Sequence, residues 1–245
     1  MKTALVTGAS GGIGSEILKI FVQNGYTVIA QYNKNKNDLD LTIKELESQG
    51  YSNKVVTVFC DFNDQTAIQN FCKFVLEFNG GIDVLINNAG TELFKLIDQT
   101  TDAEIQKLLA VNLNSAFVTV KSVANSMISK KKGKIVNVSS IWGVVGSSME
   151  SVYSATKSAL IGYTKALAKE LGPSGINVNC VCPGVIDTKM NACLSKEDML
   201  AIVGQTPLGR IGKPIEVAEL IYFLCSNKAD FITGEVITID GGFIL

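Results

Sequence analysis

Tyr153 and Lys157 stand four residues apart in "YSATK", within a 245-residue chain that contains no histidine. Histidine is the usual proton carrier near neutral pH. Any acid–base chemistry here therefore needs other groups. A tyrosine and a lysine one helical turn apart share a helix face. The positive charge of the lysine favours tyrosinate and lowers a phenol pKa that otherwise stands at about 10. The missing histidine also removes Ser-His-Asp and Cys-His catalysis within the chain, and the histidine-containing metal sites common in hydrolases. The six cysteines (60, 72, 180, 182, 193 and 225) form no C-x-x-C pair, so no metal site is expected. Cys180 and Cys182 lie two apart in a strand-like run and point to one face of it. All six read as small apolar core residues of a reducing compartment.

A second set of residues could hold a phosphate. The first apolar run leads into "TGASGGIG", with glycines at 8, 12 and 14. A glycine turn between a strand and a helix lets backbone N–H groups approach a pyrophosphate at the helix N-terminus. The spacing is G-x-x-x-G-x-G. At the end of the next apolar run, an acidic residue would bind ribose hydroxyls and repel a 2′-phosphate. That position instead carries Gln31, Tyr32, Asn33 and Lys34. The absence of an acid and the charge of Lys34 favour NADP(H), although Gly11 leaves the glycine turn without a basic side chain, and NAD(H) stays open. Asp61 follows the third run, where it could accept from an adenine amino group. Asp64 is the better cap for the helix that follows. "NNAG" (87–90) ends the fourth run, and its glycine permits close backbone approach to a ligand.

These residues need a scaffold, and the periodicity supplies one. "TALVT", "YTVIAQY", "KVVTVFC", "IDVLIN", "GKIVNVS", "INVNCVC" and "EVITID" read as strands. Amphipathic stretches between them read as helices: one through about Asn24, one carrying Leu39, Ile43 and Leu46, and one carrying Ile68, Phe71, Val75 and Phe78. Further helices are expected from about Thr101 to Ser129, from about Ser151 to Leu171 before Gly172-Pro173, and from about Ile215 to Cys225. Several strands are apolar throughout, the mark of a sheet covered on both faces. Strand–helix alternation with right-handed crossovers predicts an α/β fold: a Rossmann-like doubly wound parallel sheet of about seven strands, with helices on both faces. No linker or repeat interrupts it, so one dinucleotide-binding catalytic domain is expected over residues 1–245.

Composition narrows the function. The chain is 47% hydrophobic and 18% charged, which suits a sizeable core. Its net charge of −1 gives no electrostatic case for nucleic acid. No apolar run is long enough to cross a bilayer, and "MKTALVTGAS" is too briefly apolar for a signal peptide. The expected compartment is the cytoplasm. The lysine run at 130–134 reads as a solvated helix end.

"TGASGGIG", "NNAG", Asn112, Ser140, "YSATK" and "PG" at 183–184 together resemble the short-chain dehydrogenase/reductase family, in order and spacing, over essentially the whole chain. The resemblance implies a catalytic set of Asn112, Ser140, Tyr153 and Lys157. Tyr153 would give a proton to a carbonyl oxygen, and Ser140 would hydrogen-bond that oxygen. Lys157 would tune the tyrosine and bind the nicotinamide ribose. Asn112 would hold a water that links Lys157 to solvent. The family places its serine thirteen residues before the tyrosine, which selects Ser140 over Ser139. The implied cofactor contacts are Gly8, Ser10, Gly11, Gly12, Ile13, Gly14, Asn33, Lys34, Asp61, Phe62, Asn88, Ala89, Gly90, Tyr153, Lys157, Pro183, Gly184, Ile186 and Thr188. Residues from about Lys189 to Leu208 would form a mobile substrate lid. The C-terminal "ITGEVITIDGG" resembles the segment that packs against other subunits, which implies a homotetramer.

Within the family, "PLGRIGKPIEVAELIYFLCSNKADFITGEVITIDGG" resembles bacterial 3-oxoacyl-[acyl-carrier-protein] reductases. A 3-oxoacyl thioester on acyl carrier protein is then the expected substrate, with Lys130–Lys132 as a basic patch for the acidic carrier. Two features depart from that pattern. The loop "IWGVVGSSMESV" replaces a G-N-x-G-Q-like stretch, and Ser174 stands where a second basic residue is common. Trp142, Glu150 and Glu92 could border the substrate, and a carboxylate there would suit an amine. The loop resembles that of reductases acting on the 5-aminopentanone-modified lysine of elongation factor P, which gives the alternative substrate, alongside other small ketones. A third reading, a non-catalytic dinucleotide sensor or scaffold, would be marked by a broken Ser/Tyr/Lys set. Here the set is complete.

Overall fold

Runs of Val, Ile and Leu become parallel strands at the centre of the molecule. The structure, a computed structural model, describes residues 2–78 and 80–245. The side chains of 192 and 193 lie outside the described residues, and with them the expectation for Cys193. The strands are β1 (Thr3–Val6), β2 (Thr27–Tyr32), β3 (Val55–Phe59), β4 (Val84–Asn87), β5 (Gly133–Val138), β6 (Ile176–Pro183) and β7 (Val236–Ile239). They form one sheet in the order β3-β2-β1-β4-β5-β6-β7, every pair parallel. Central strands β1, β4 and β5 are buried along their whole length, whereas the edge strands β3 and β7 are partly exposed. An edge strand has a neighbour on one side only, so its sequence can afford polar positions.

Helices cover both faces. They are α1 (Gly12–Gln23), α2 (Lys36–Ser48), α3 (Gln65–Glu77), α4 (Asp102–Leu109), α5 (Ser115–Lys130), a single turn α6 (Trp142–Val145), α7 (Ser151–Leu171), α8 (Lys196–Gln205) and α9 (Pro214–Cys225). Alternation along the strands divides the core in two. Ala4, Val6, Val28, Ile86 and Val181 pack with Ile17, Leu18, Phe21, Leu39 and Val217 on the α1/α2/α9 face. Leu5, Ile29, Leu85, Ile135 and Val178 pack with Phe71, Val75, Val123, Met127 and Leu167 on the α3/α5/α7 face. This is the doubly wound arrangement that the periodicity predicts.

Local signals set several boundaries. Asp64 caps α3 by accepting from the N–H groups of Thr66 (2.8 Å) and Ala67 (3.3 Å). Thr101 and Glu104 form a capping box at α4. Gly172, Pro173 and Ser174 form a 3₁₀ turn directly after α7. The helical stretch expected over 101–129 is not uniform: a π-helical turn at Ala110–Asn114 separates α4 from α5. Such turns insert one residue and often mark functional positions. Asn112 sits inside this one. Among the described residues no helix is long and apolar enough to cross a membrane.

Lys130 ends α5, and Lys131 follows in a left-handed conformation. This cluster precedes β5, at the amino edge of the sheet. Tyr153 belongs to the opposite, carboxyl edge. Lys130–Lys132, expected as a basic patch for an acidic carrier, thus lie at the edge of the sheet opposite Tyr153. Lys130 meets Asp83 (3.2 Å) there.

A buried polar chain holds α5 and α7 on the sheet. Thr119 on α5 donates to Asn87 Oδ1 (2.6 Å), Asn87 donates to Asn137 Oδ1 (2.8 Å), and Asn137 donates to Thr164 Oγ1 on α7 (2.8 Å). Asn137 is fully buried. Asn137→Ala would leave the Asn87 amide short of an acceptor, at a cost of about 1–3 kcal/mol, whereas the Thr164 hydroxyl keeps its bond to Leu160 O (2.8 Å). Urea unfolding measures it. Wild-type stability in this variant would show that the chain of bonds does not hold the helices.

Candidate active site

The carboxyl ends of β1 and β4 are neighbours in the sheet, although β2 and β3 intervene in sequence. Their loops part there, which makes the crevice where open α/β sheets take their ligands. Gly8 lies on one side with φ at +64°. A Cβ on it would stand 2.9 Å from Ala89 Cα, and a Cβ on Gly14 would collide with the Gly8 carbonyl oxygen. Both positions thus need glycine. Thr7 Oγ1 accepts from the N–H groups of Asn88 and Ala89 (3.0 Å each), and Asn88 Nδ2 donates to Thr7 O and Gly8 O. These bonds join the glycine turn to "NNAG".

The N-terminus of α1 has no side-chain cap. Its first-turn N–H groups are therefore left to an anion. Uncapped donors beside a glycine-lined cradle fit a dinucleotide pyrophosphate. Gly11 and Gly12 are exposed here, Ser10 and Ile13 are half-buried, and the side chain of Thr188 closes on Gly12 from the loop after β6. Lys189 then reaches Asp38 Oδ2 at 2.7 Å, tying that loop to the first turn of α2.

Gln31 has a positioning role that its sequence context does not announce. It is 2% exposed. Its Oε1 accepts from Gly8 N–H (2.8 Å), and its Nε2 donates to Cys60 O (2.7 Å). A buried glutamine at the end of an apolar strand was the available signal. Asn33 and exposed Lys34 face Asp61, whose carboxyl is held below its usual range first by the Asn63 N–H, then by the Asn63 and Asn33 side chains and the charge of Lys34. Asp61 is thus not the cap of α3, as expected. Phe62, expected among the cofactor contacts, turns its ring into the core against Phe71 (5.9 Å), which leaves only its backbone for that purpose. Ile186 likewise buries its side chain and forms a parallel bridge with Gly212. Pro183 closes β6 by accepting from Ile141 N–H (3.0 Å), and Gly184 N–H donates to Ile239 O (3.0 Å).

The second half of the site hangs on α7. Lys157 is 4% exposed, and its Nζ donates to Val138 O at 2.9 Å. Ser139 donates to Lys157 O (2.7 Å), and Ser158 donates to Gly143 O (2.6 Å). Ser139 therefore binds the helix, and Ser140 remains to face the tyrosine, with which it hydrogen-bonds. A Cβ on Gly90 would lie 3.4 Å from Lys157 Nζ and 3.6 Å from Asn112 Oδ1, so these three expected residues do meet. Asn112 accepts from Thr91 N–H and donates to Thr91 O (2.8 Å each), and also donates to Thr156 Oγ1 (3.2 Å). Its amide donors are fully used, and one lone pair of Oδ1 remains.

Burial sets the titration directions. It lowers Lys157 to about 8. Burial also pushes Tyr153 up, opposed by the Ser140 hydrogen bond and reinforced by the charges of Glu150 and Glu92. Lys157 Nζ lies 5.7 Å from the Tyr153 ring centroid, yet desolvation of the buried phenol sets the direction, which is up rather than down as expected. A protonated phenol beside a serine hydroxyl can donate to an oxygen that gains charge. Glu92 is raised to about 7 by burial and then by Glu150, and Glu150 is raised by burial. Trp142 N–H donates to Ser140 Oγ (3.1 Å), and its ring stacks edge-on against Phe243 at 5.9 Å. The structure thus brings Glu92 and Glu150 to Tyr153, and sets Trp142 beside Ser140. Residues 189–193 form a 3₁₀ turn and 196–205 form α8, where none of the described side chains is buried.

The family profile described as "short chain dehydrogenase" matches residues 2–199. The chain is 39% identical to the "3-oxoacyl-[acyl-carrier-protein] reductase FabG" of Thermotoga maritima, over 100% of this chain and 98% of that one. It is 39% identical to the protein of the same name from Aquifex aeolicus, over 98% and 96%. It is also 36% identical to the "Uncharacterized oxidoreductase YmfI" of Bacillus subtilis, over 99% and 98%. The chain belongs to the short-chain dehydrogenase/reductase family, a family of nicotinamide-dependent oxidoreductases.

The raised Glu92 has a consequence for stability. A carboxyl that is harder to ionise when folded destabilises the fold as pH rises from 4.5 through about 7. Glu92→Gln removes that penalty. The variant is expected to match the wild type below about pH 4.5 and to melt higher above pH 7. Thermal melts across this range check it, and parallel profiles would refute the shift.

Proposed function

We propose that this protein is an NADP(H)-dependent carbonyl reductase acting through Asn112, Ser140, Tyr153 and Lys157, within one catalytic domain over residues 1–245. The observation that carries the reading is the protonated, buried Tyr153, bonded to Ser140 and one turn from Lys157. A bound nicotinamide dinucleotide supplies the hydride. Tyr153 gives its phenolic proton to the carbonyl oxygen as charge develops there. Ser140 hydrogen-bonds the same oxygen. Lys157 stabilises the tyrosinate that results and binds the nicotinamide ribose, and Asn112 uses its remaining lone pair to hold a water that returns the proton. Gly8, Gly12, Gly14 and "NNAG" hold the pyrophosphate side.

NADP(H) is favoured over NAD(H). Lys34 is exposed just after β2, that strand itself ends without an acid, and Gln31 is already committed to Gly8 and Cys60.

The first substrate reading is a 3-oxoacyl thioester on acyl carrier protein, reduced to the 3-hydroxyacyl form in fatty-acid synthesis. The names of the Thermotoga and Aquifex relatives support it. The second is the 5-aminopentanone group on elongation factor P, or another small ketone, supported by Glu92 and Glu150 beside Tyr153. Assembly as a homotetramer is supported by the fully exposed Phe231 and Leu245 near the half-exposed strand β7.

Oxidation of NADPH and NADH in parallel, with acetoacetyl thioester as acceptor, tests the reading. NADPH is expected to turn over faster, and Tyr153→Phe to lower kcat/KM by about 10²–10⁴-fold. Tight NADPH binding with no turnover of any carbonyl would instead support a non-catalytic dinucleotide sensor.

A further inference from the structure

Glu92 and Glu150 have no part in the proton path above, yet the fold brings both to it. Glu92 lies two residues beyond Gly90, on the loop that Asn112 clamps at Thr91. Glu150 immediately precedes α7 and stands three residues before Tyr153. The two loops are stitched together where Lys95 N–H donates to Met149 O at 2.6 Å. Both carboxylates act on the Tyr153 hydroxyl, and Glu150 acts on Glu92.

Neither carboxylate is neutralised by a cation among the described residues. Among the described residues, no ion pair includes Glu92 or Glu150. Lys95, the lysine nearest Glu92 in sequence, is paired with Glu104 (3.0 Å), and Lys157 donates to Val138 O. Glu150 has a hydrogen bond to Ser147. Two half-buried like charges without a cation are unfavourable until one arrives. The position of the reacting carbonyl is marked independently by Ser140 and Tyr153. A cation on the same substrate molecule would meet both needs. A neutral acyl chain would gain nothing from the pair, and an acidic carrier would be repelled by it.

We propose that Glu92 and Glu150 form an ammonium-recognising wall of the Tyr153 site, so that the preferred substrate is a ketone that also carries a positively charged amine. This inference rests on the reductase reading of the site and deepens the second of its two substrate readings.

The test uses the whole protein with NADPH and two ketones of equal shape. One is (4-oxopentyl)trimethylammonium, which cannot cyclise onto its own carbonyl. The other is its neutral isostere, 6,6-dimethylheptan-2-one. The charged ketone is expected to have a kcat/KM at least about tenfold higher, carried in KM. The ratio is expected to fall toward one in Glu92→Gln and in Glu150→Gln, and to recover in part in Glu92→Asp. A ratio near one in the wild type, or a ratio unchanged in the double Gln variant, overturns the proposal while leaving the reductase reading intact. Should neither ketone turn over, the acetoacetyl thioester assay decides the reductase reading, and calorimetry with pentylammonium and pentan-1-ol on the NADP-bound protein decides the wall. Binding of the ammonium at least about tenfold tighter, lost in the double variant, supports it. Equal binding overturns it. Thermal melts of each variant separate loss of the wall from loss of the fold.

Discussion

Lys157 is a charged group in the interior, and much of the site follows from satisfying it. A buried ammonium is tolerated only with hydrogen-bond partners. Val138 O supplies one at the end of β5, and Ser139 returns a bond to the Lys157 carbonyl. The Asn137–Thr164 bond fixes the same helix two turns further along. These bonds set the position of α7 along its axis and its rotation. Tyr153, one turn before Lys157, is consequently delivered to Ser140. The lysine supplies charge to the site and also positions the helix that carries the tyrosine.

Desolvation and charge pull against each other around that tyrosine. Burial and two neighbouring glutamates favour the neutral phenol, and only the Ser140 hydrogen bond opposes them. Lys157, lowered to about 8, is itself easily discharged in this environment. The phenol is therefore held protonated rather than as a standing tyrosinate. A positive charge brought in by a ligand would shift this balance toward ionisation. The same logic applies to the two acids, where burial raises both and the charge of Glu150 raises Glu92 further.

The relatives and the local electrostatics bear on different questions. Full-length similarity to proteins named as oxoacyl carrier-protein reductases fixes the family and the general chemistry. Family membership does not determine the substrate, because that depends on the few side chains around the carbonyl. The surroundings of Tyr153 and Ser140 here include two acids and a tryptophan packed on Phe243. The lysine cluster at 130–132 lies at the other edge of the sheet and adds no charge to the mouth of its own protomer.

The strands, their order of appearance and most helix limits were legible in the sequence, because apolar periodicity and turn residues are local signals. Asp64 as a cap, the stop at Gly172-Pro173 and the pairing of Tyr153 with Lys157 are all statements about neighbours in the chain. The glycine turn was readable for the same reason: only a missing Cβ allows Gly8 and Gly14 to approach the backbone so closely. Tertiary structure decided everything that joins distant segments. It turned Phe62 and Ile186 into the core, committed Gln31 to Gly8 and Cys60, placed Asn112 in a π turn and bound its amide to Thr91. It also determined that burial sets the titration direction of Tyr153, and that Glu92 and Glu150, 58 positions apart in the chain, share one electrostatic environment. Desolvation and charge coupling depend on the atoms that surround a group in space, and one-dimensional spacing does not contain that information.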